Sequence, residues 1–77
     1  MDIKRRFGSA VRARRAALGI SQEELALRID ADQAYVSRIE AGAMNVTLET
    51  AQQVADALET DVAALFSTAP NPRDAGI

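Results

Sequence analysis

Ile20-Ser21-Gln22-Glu23-Glu24-Leu25-Ala26-Leu27-Arg28-Ile29-Asp30-Ala31-Asp32-Gln33-Ala34-Tyr35-Val36-Ser37-Arg38-Ile39-Glu40-Ala41-Gly42 reads as two short helices and the turn between them. Ser21 suits an N-cap, and Glu24, three residues on, can reach back to complete a capping box. Ile20 and Leu25 stand where a hydrophobic staple would place them. The helix that follows turns Leu25, Ala26 and Ile29 inward and ends near Ile29. Asp30-Ala31-Asp32 breaks the pattern. Asp32 can cap a second helix, Gln33 to about Ala41, and Gly42 suits the left-handed residue that closes it. Val36 and Ile39 form the core side of that helix. Its other face carries Gln33, Ala34, Tyr35, Ser37 and Arg38, which are polar and mostly short.

Upstream, Phe7, Val11 and Leu18 recur at helical spacing from about Ile3 to Leu18, with Ala10 and Ala17 beside them, and Gly19 ends the run. Downstream, Thr47 can cap a helix from Leu48 to about Leu58 whose stripe is Leu48, Ala51, Val54, Ala55 and Leu58. A last stretch, Asp61 to about Phe66, offers Val62, Leu65 and Phe66. The reading is therefore all-α: a compact five-helix domain over residues 1–66, with a helix-turn-helix at its second and third helices. Residues 67–77 hold two prolines and no periodicity and are expected to fray as a tail.

The chain has 77 residues, no cysteine and no histidine. That length allows one domain. Disulfides and Cys/His zinc sites are excluded, so the expectation is no metal and no cofactor. An enzyme lacks support as well: there is no phosphate-cradling glycine loop, and the carboxylates fall at caps and on solvated faces. The charged start, without an apolar run after it, does not read as a signal peptide. No stretch approaches the roughly 20 apolar residues of a membrane helix, so the expected location is the cytoplasm, with no membrane partner.

Net charge is −2, but it is unevenly spread. Residues 1–20 hold six basic side chains (Lys4, Arg5, Arg6, Arg12, Arg14 and Arg15) against Asp2, and residues 21–77 hold three against ten acidic ones. A basic pole can face phosphates while the acidic remainder faces solvent or a partner. Charge alone leaves open a chance segregation.

Two motif runs sharpen the reading. Arg12-x-x-Arg15-x-x-x-Gly19-Ile20-Ser21-Gln22-Glu23-Glu24-Leu25-Ala26 and Tyr35-Val36-Ser37-Arg38-Ile39-Glu40-x-Gly42 resemble the phage repressor/Cro-type (xenobiotic-response-element) helix-turn-helix family. Thr47-Leu48-Glu49-Thr50, Ala55-x-Ala57-Leu58 and Leu65-Phe66 continue the pattern, so the resemblance covers roughly residues 5–66. It implies a lambda-repressor-like DNA-binding domain. Within the family, Tyr35 to Leu48 is most similar to the controller proteins of restriction–modification systems. Where such controllers carry basic residues after the recognition helix, this chain has Ala41, Ala43 and Met44.

The expected function is a sequence-specific regulator of transcription that binds a pseudo-palindromic operator in double-stranded DNA as a homodimer. The alternatives are an antitoxin or a phage-type repressor, and the protein partner to be weighed is a polymerase subunit or a toxin. Gln33 can bond adenine N6 and N7 together in the major groove, and Ala34 can touch a thymine methyl. Ser37 and Arg38 can reach base or backbone. The resemblance implies that Gln22 contacts a phosphate and braces Gln33, that Tyr35 lies at the DNA surface, and that Arg15 and Glu40 form a buried ion pair. Arg12 is a phosphate candidate, with solvation as its plain alternative, as are Arg5 and Lys4. Asn45 is either a phosphate donor or a loop bracket. Val62, Leu65 and Phe66 are candidates for the two-fold interface, for packing back on Leu58 and Phe7, or for both.

Overall fold

The computed structural model describes residues 2–68, which form five α-helices: α1 (Ile3–Leu18), α2 (Gln22–Arg28), α3 (Gln33–Glu40), α4 (Leu48–Ala57) and α5 (Val62–Thr68). Each starts where a side-chain oxygen takes up an amide that the first turn leaves without a partner. Asp2 accepts from the Lys4 N–H at 3.0 Å, Ser21 from Glu24 at 3.0 Å, and Asp32 from Tyr35 at 2.8 Å. Thr47 accepts from Thr50 at 3.0 Å and Asp61 from Ala64 at 2.7 Å.

The ends use the left-handed region. Gly19 closes α1 at φ 70°, its N–H directed to the carbonyls of Ala16 and Arg15, and Gly42 follows α3 at φ 71°. Asp30 (φ 56°) and Glu59 (φ 60°) take the same conformation without glycine's freedom, which an Asp tolerates better than most side chains. In the turn between α2 and α3 the Ala31 N–H reaches back to the Ala26 carbonyl at 2.8 Å. The reversal between α2 and α3 is thus closed by a backbone hydrogen bond.

The core is one cluster, with Phe7 and Val11 from α1, Leu25 from α2, Val36 and Ile39 from α3, Val54 and Leu58 from the α4 end, and Leu65 from α5. Ala10, Ala26, Ala51 and Ala55 fill the crossings where larger residues would hold helices apart. Helix α1 packs along both α3 and α5, and α2 packs on α3. Among the described residues, no helix is long and apolar enough to cross a membrane.

Several expectations need correction. Leu48 is not part of the α4 stripe: it is 87% exposed, because the first helical position points away from the core that Ala51 and Val54 face. Ala17 is exposed too, and Leu18 only half-buried. The capping box at Ser21 is one-sided, since the Glu24 carboxylate pairs with Arg28 at 3.3 Å, one turn along the helix. Helix α5 starts one residue after Asp61 and runs two residues past Phe66, to Thr68, so the helical domain takes in Ser67 and Thr68. The rest of the expected tail, 69–77, lies outside the described residues.

Three arginines are consumed in building this frame. Arg14 donates from Nε to the Leu58 carbonyl at 2.9 Å and from Nη2 to the Glu59 carbonyl at 3.3 Å. Arg28 donates to the Ala57 carbonyl at 3.0 Å. Both serve carbonyls at the α4 C-terminus, where the helix dipole favours a cation. Arg15, the third, ties α1 to α3.

Candidate nucleic-acid interface

The face expected to read DNA is the outer face of α3. Gln33, Ala34, Ser37 and Arg38 are all exposed there, while Val36 and Ile39 are buried on the opposite side. The helix can present small polar groups because its other side is anchored. Tyr35 is intermediate: its ring is half-buried and packs on the core.

What sets the height of α3 is a glycine that the sequence reading passed over. A Cβ on Gly8 would run into the carbonyl oxygens of Ile39 and Glu40, 2.6 Å from the latter. Helix α1 therefore crosses the last turn of α3 at backbone contact. A glycine inside a helix costs about 1 kcal/mol relative to alanine, and its presence at position 8 was the one available hint of such an approach.

At the same crossing Arg15 grips Glu40. Nε donates to Oε2 at 2.7 Å, Nη2 donates to Oε1 at 3.1 Å, and Nη1 donates to the Ile20 carbonyl at 2.9 Å. The Glu40 side chain is 5% exposed and that of Arg15 17%. The hydrogen bond that Arg15 donates to Glu40 raises the Arg15 pKa above its ordinary value, with partial burial opposing and the carboxylate's charge adding. The pair continues outward. Gln22 donates from Nε2 to Glu40 Oε1 at 3.0 Å, and Gln33 donates from Nε2 to Gln22 Oε1 at 2.6 Å. Arg15, Glu40, Gln22 and Gln33 form one hydrogen-bonded line from α1 to the first residue of α3.

Beside this line opens a polar cleft of about 270 Å³, lined by Arg12, Arg15, Gln22, Ser37, Glu40 and Ala41. Arg15 and Glu40 neutralise each other, and Arg12 is exposed with its charge available to the cleft. The structure thus brings Arg12, Gln22, Gln33 and Ser37 to one surface. It also thins the basic pole counted from the sequence, because Arg14 and Arg15 spend their donors inside the protein. Among the described residues, no group of three or more acidic, cysteine or histidine side chains is placed to hold a metal ion.

Asn45 is not in that cleft. It is exposed in the α3–α4 connection and lines a second, apolar groove of about 320 Å³ together with Ile3, Met44, Leu48, Val62 and Phe66. Phe66 packs on Phe7 with ring centroids 5.8 Å apart and the rings tilted by 48°, and the Arg6 guanidinium lies 5.7 Å from the Phe66 ring centroid. Leu65 drops out of the expected interface set. It is fully buried in its own chain, where it completes the core, and so has no surface to offer a second copy. Ile3 and Leu48, exposed at the groove, carry the apolar surface instead, which the helical period had assigned to the interior in the case of Leu48.

A helix-turn-helix family model matches residues 11–65. The chain is 39% identical over 67 residues to the control protein C.MunI of a Mycoplasma species, with 86% of this chain and 90% of that protein covered. Among solved structures it is similar to the restriction–modification controller protein C.AhdI from Aeromonas hydrophila, at 38% identity and a TM-score of 0.75, covering 79% of this chain and 88% of that one. The clp gene regulator ClgR from C. glutamicum superposes with a TM-score of 0.82 at 30% identity, over 86% of this chain and 85% of that one.

Proposed function

Because the chain belongs to the helix-turn-helix family, we propose that it is a sequence-specific DNA-binding regulator of transcription, a restriction–modification controller that works as a homodimer. The observation that carries this reading is the outer face of α3, small and polar from Gln33 to Arg38, held at a fixed height by Gly8 and Arg15. A helix of that kind fits the major groove with its first residues at the base edges. Gln33, Ala34, Ser37 and Arg38 are then the base-reading set. Arg12, Gln22, Tyr35 and Asn45 are the backbone set, with Arg12 supplying charge from the cleft beside α3.

One chain offers one recognition helix. Two copies related by a two-fold axis read half-sites about 34–36 Å apart. The surface suited to join them is the apolar groove, where Ile3, Leu48, Val62 and Phe66 leave area uncovered in the single chain.

The test is a fluorescence-anisotropy titration of the protein against duplexes selected from a random pool, repeated over a salt series. Log affinity is expected to fall with log salt at about 0.9 per phosphate neutralised. A flat salt response, or no selection of any sequence, overturns the reading.

A further inference from the structure

Positive charge stops early in this chain. Among the described residues none after Arg38 is basic, so the stretch that leads out of α3, from Ala41 to Asn45, brings no cation, and neither do α4 and α5. Helix α1 supplies what that loop lacks. A Cβ on Gly42 would stand 2.7 Å from Arg5 Cγ and 2.9 Å from Arg5 Cα, so the loop lies directly on α1 at that residue. Gly42 is needed there twice over, for its φ of 71° and for its missing side chain.

Arg5, Gly8, Arg12 and Arg15 follow one another at intervals of three, four and three, which places them on one side of α1, the side that meets α3. Gly8 touches the Ile39 and Glu40 carbonyls, Arg15 is spent on Glu40, and Arg12 lines the polar cleft that reaches from Gln22 to Ala41. Arg5 carries the row on to Gly42, just beyond the end of that cleft. Its side chain is 80% exposed, and its ion pair is a 3.8 Å contact with Asp2 one turn back. An exposed pair of that kind holds by no more than about 1 kcal/mol, and a phosphate, which takes a guanidinium through two parallel hydrogen bonds, displaces it. Lys4, the neighbouring cation, lines the apolar groove on the other flank.

We propose that Arg5 is a phosphate-binding residue of the duplex interface: from the first turn of α1 it takes the DNA backbone at the C-terminal end of α3, where the loop has no cation of its own. Arg5 and Arg12 lie about 10 Å apart along the helix axis, so they serve separate phosphates. Gly42 is the positioning residue, since a side chain there would push the Arg5 stem off the loop. The inference rests on the functional reading above and adds to it a backbone contact and the reason for the glycine.

The test uses the duplex selected by the wild type. Arg5→Ala is expected to lower the salt slope by about 0.9, so that its deficit against the wild type shrinks about three-fold between about 50 and about 200 mM salt. To separate a contact from the field of a distant charge, the phosphates of one half-site are replaced singly by uncharged methylphosphonates. Each contacted phosphate then shows a loss of affinity in the wild type. One of these losses is expected to vanish in Arg5→Ala and a different one in Arg12→Ala. An unchanged slope in Arg5→Ala overturns the proposal, as does a lowered slope with every methylphosphonate loss retained, or the same loss vanishing in both variants; the DNA-binding reading stands in all three cases. A wild type with no affinity for any duplex removes both.

Discussion

Arg15 and Glu40 meet through two parallel hydrogen bonds, 2.7 Å and 3.1 Å long, although 25 positions separate them in the chain. The pair joins α1 to the end of α3, and with Gln22 bound to the same carboxylate it leaves Glu40 no unpaired oxygen. Breaking a buried pair from one side leaves the other charge stranded. Glu40→Ala should therefore cost about 3–5 kcal/mol of stability in urea unfolding, and Arg15→Met combined with Glu40→Met should cost less than Glu40→Ala alone. The Glu40 hydrogen bond raises the Arg15 pKa. A raised basic group contributes in full below its unfolded value and loses that contribution only as pH rises through the folded one. The stability gap between the wild type and the double variant Arg15→Met with Glu40→Met should thus stay level from about pH 6 to 10, well below the arginine range. A gap that closes in that window would assign the effect to another group.

Gly8→Ala tests the crossing of α1 and α3. The added methyl meets backbone carbonyls of Ile39 and Glu40, which cannot swing aside as a side chain would. Despite alanine's better helix propensity, the variant should lose about 1–3 kcal/mol, as overpacked cores do. Thermal unfolding by circular dichroism reads this directly, and an unchanged or raised Tm would show that the helices have room to part.

Arg12 and Arg14 lie two positions apart with different duties. Arg12→Ala should weaken binding to all duplexes alike and lower the salt slope by about 0.9, while the fold keeps its stability. Gln33→Ala, by contrast, should cost about 1–3 kcal/mol on the preferred sequence only. Equal losses on specific and random DNA for Gln33→Ala would remove it from the base-reading set.

Arg14→Met should do the reverse of Arg12→Ala. It removes charge-assisted bonds to the Leu58 and Glu59 carbonyls at the end of α4. A loss of about 1.5–3 kcal/mol in unfolding is expected, with the salt slope of DNA binding unchanged. A changed slope with unchanged stability would make Arg14 a phosphate contact instead.

Leu48 and Leu65 divide in the same way. Leu65→Ala opens the core and should cost about 2–5 kcal/mol. Leu48 is exposed in the single chain, so Leu48→Glu should shift unfolding of the dissociated protein by no more than about 0.5 kcal/mol. In sedimentation equilibrium the same variant should weaken dimerisation. A dimer of wild-type strength would move the two-fold contact away from the apolar groove.

Helix number and order, and the starts of α2, α3 and α4, were legible in the sequence because their causes are short-range. Apolar residues at helical period mark a buried stripe, and Ser21, Asp32 and Thr47 bond amides three residues on, so a window of a few positions contains both partners. The resemblance carried more: the family, and the pairing of Arg15 with Glu40 that spacing alone does not reveal. Leu48 was misplaced because period is ambiguous at a helix end, where the first turn can leave the core it leads toward.

What α1 does to α3 was decided only in three dimensions. Gly8 is an unremarkable residue in a helical run until the Ile39 and Glu40 carbonyls arrive beside it. Arg12, Arg14 and Arg15 are the same residue type on one helix, and which of them faces a cleft, a carbonyl or a carboxylate depends on the angle at which α3 and α4 cross. The direction of the Gln22 and Gln33 amides likewise follows from a buried carboxylate 18 positions beyond Gln22. Local chemistry writes helices and their limits, since it acts within a turn. The partners of long side chains belong to packing, which brings together groups 11 to 45 residues apart.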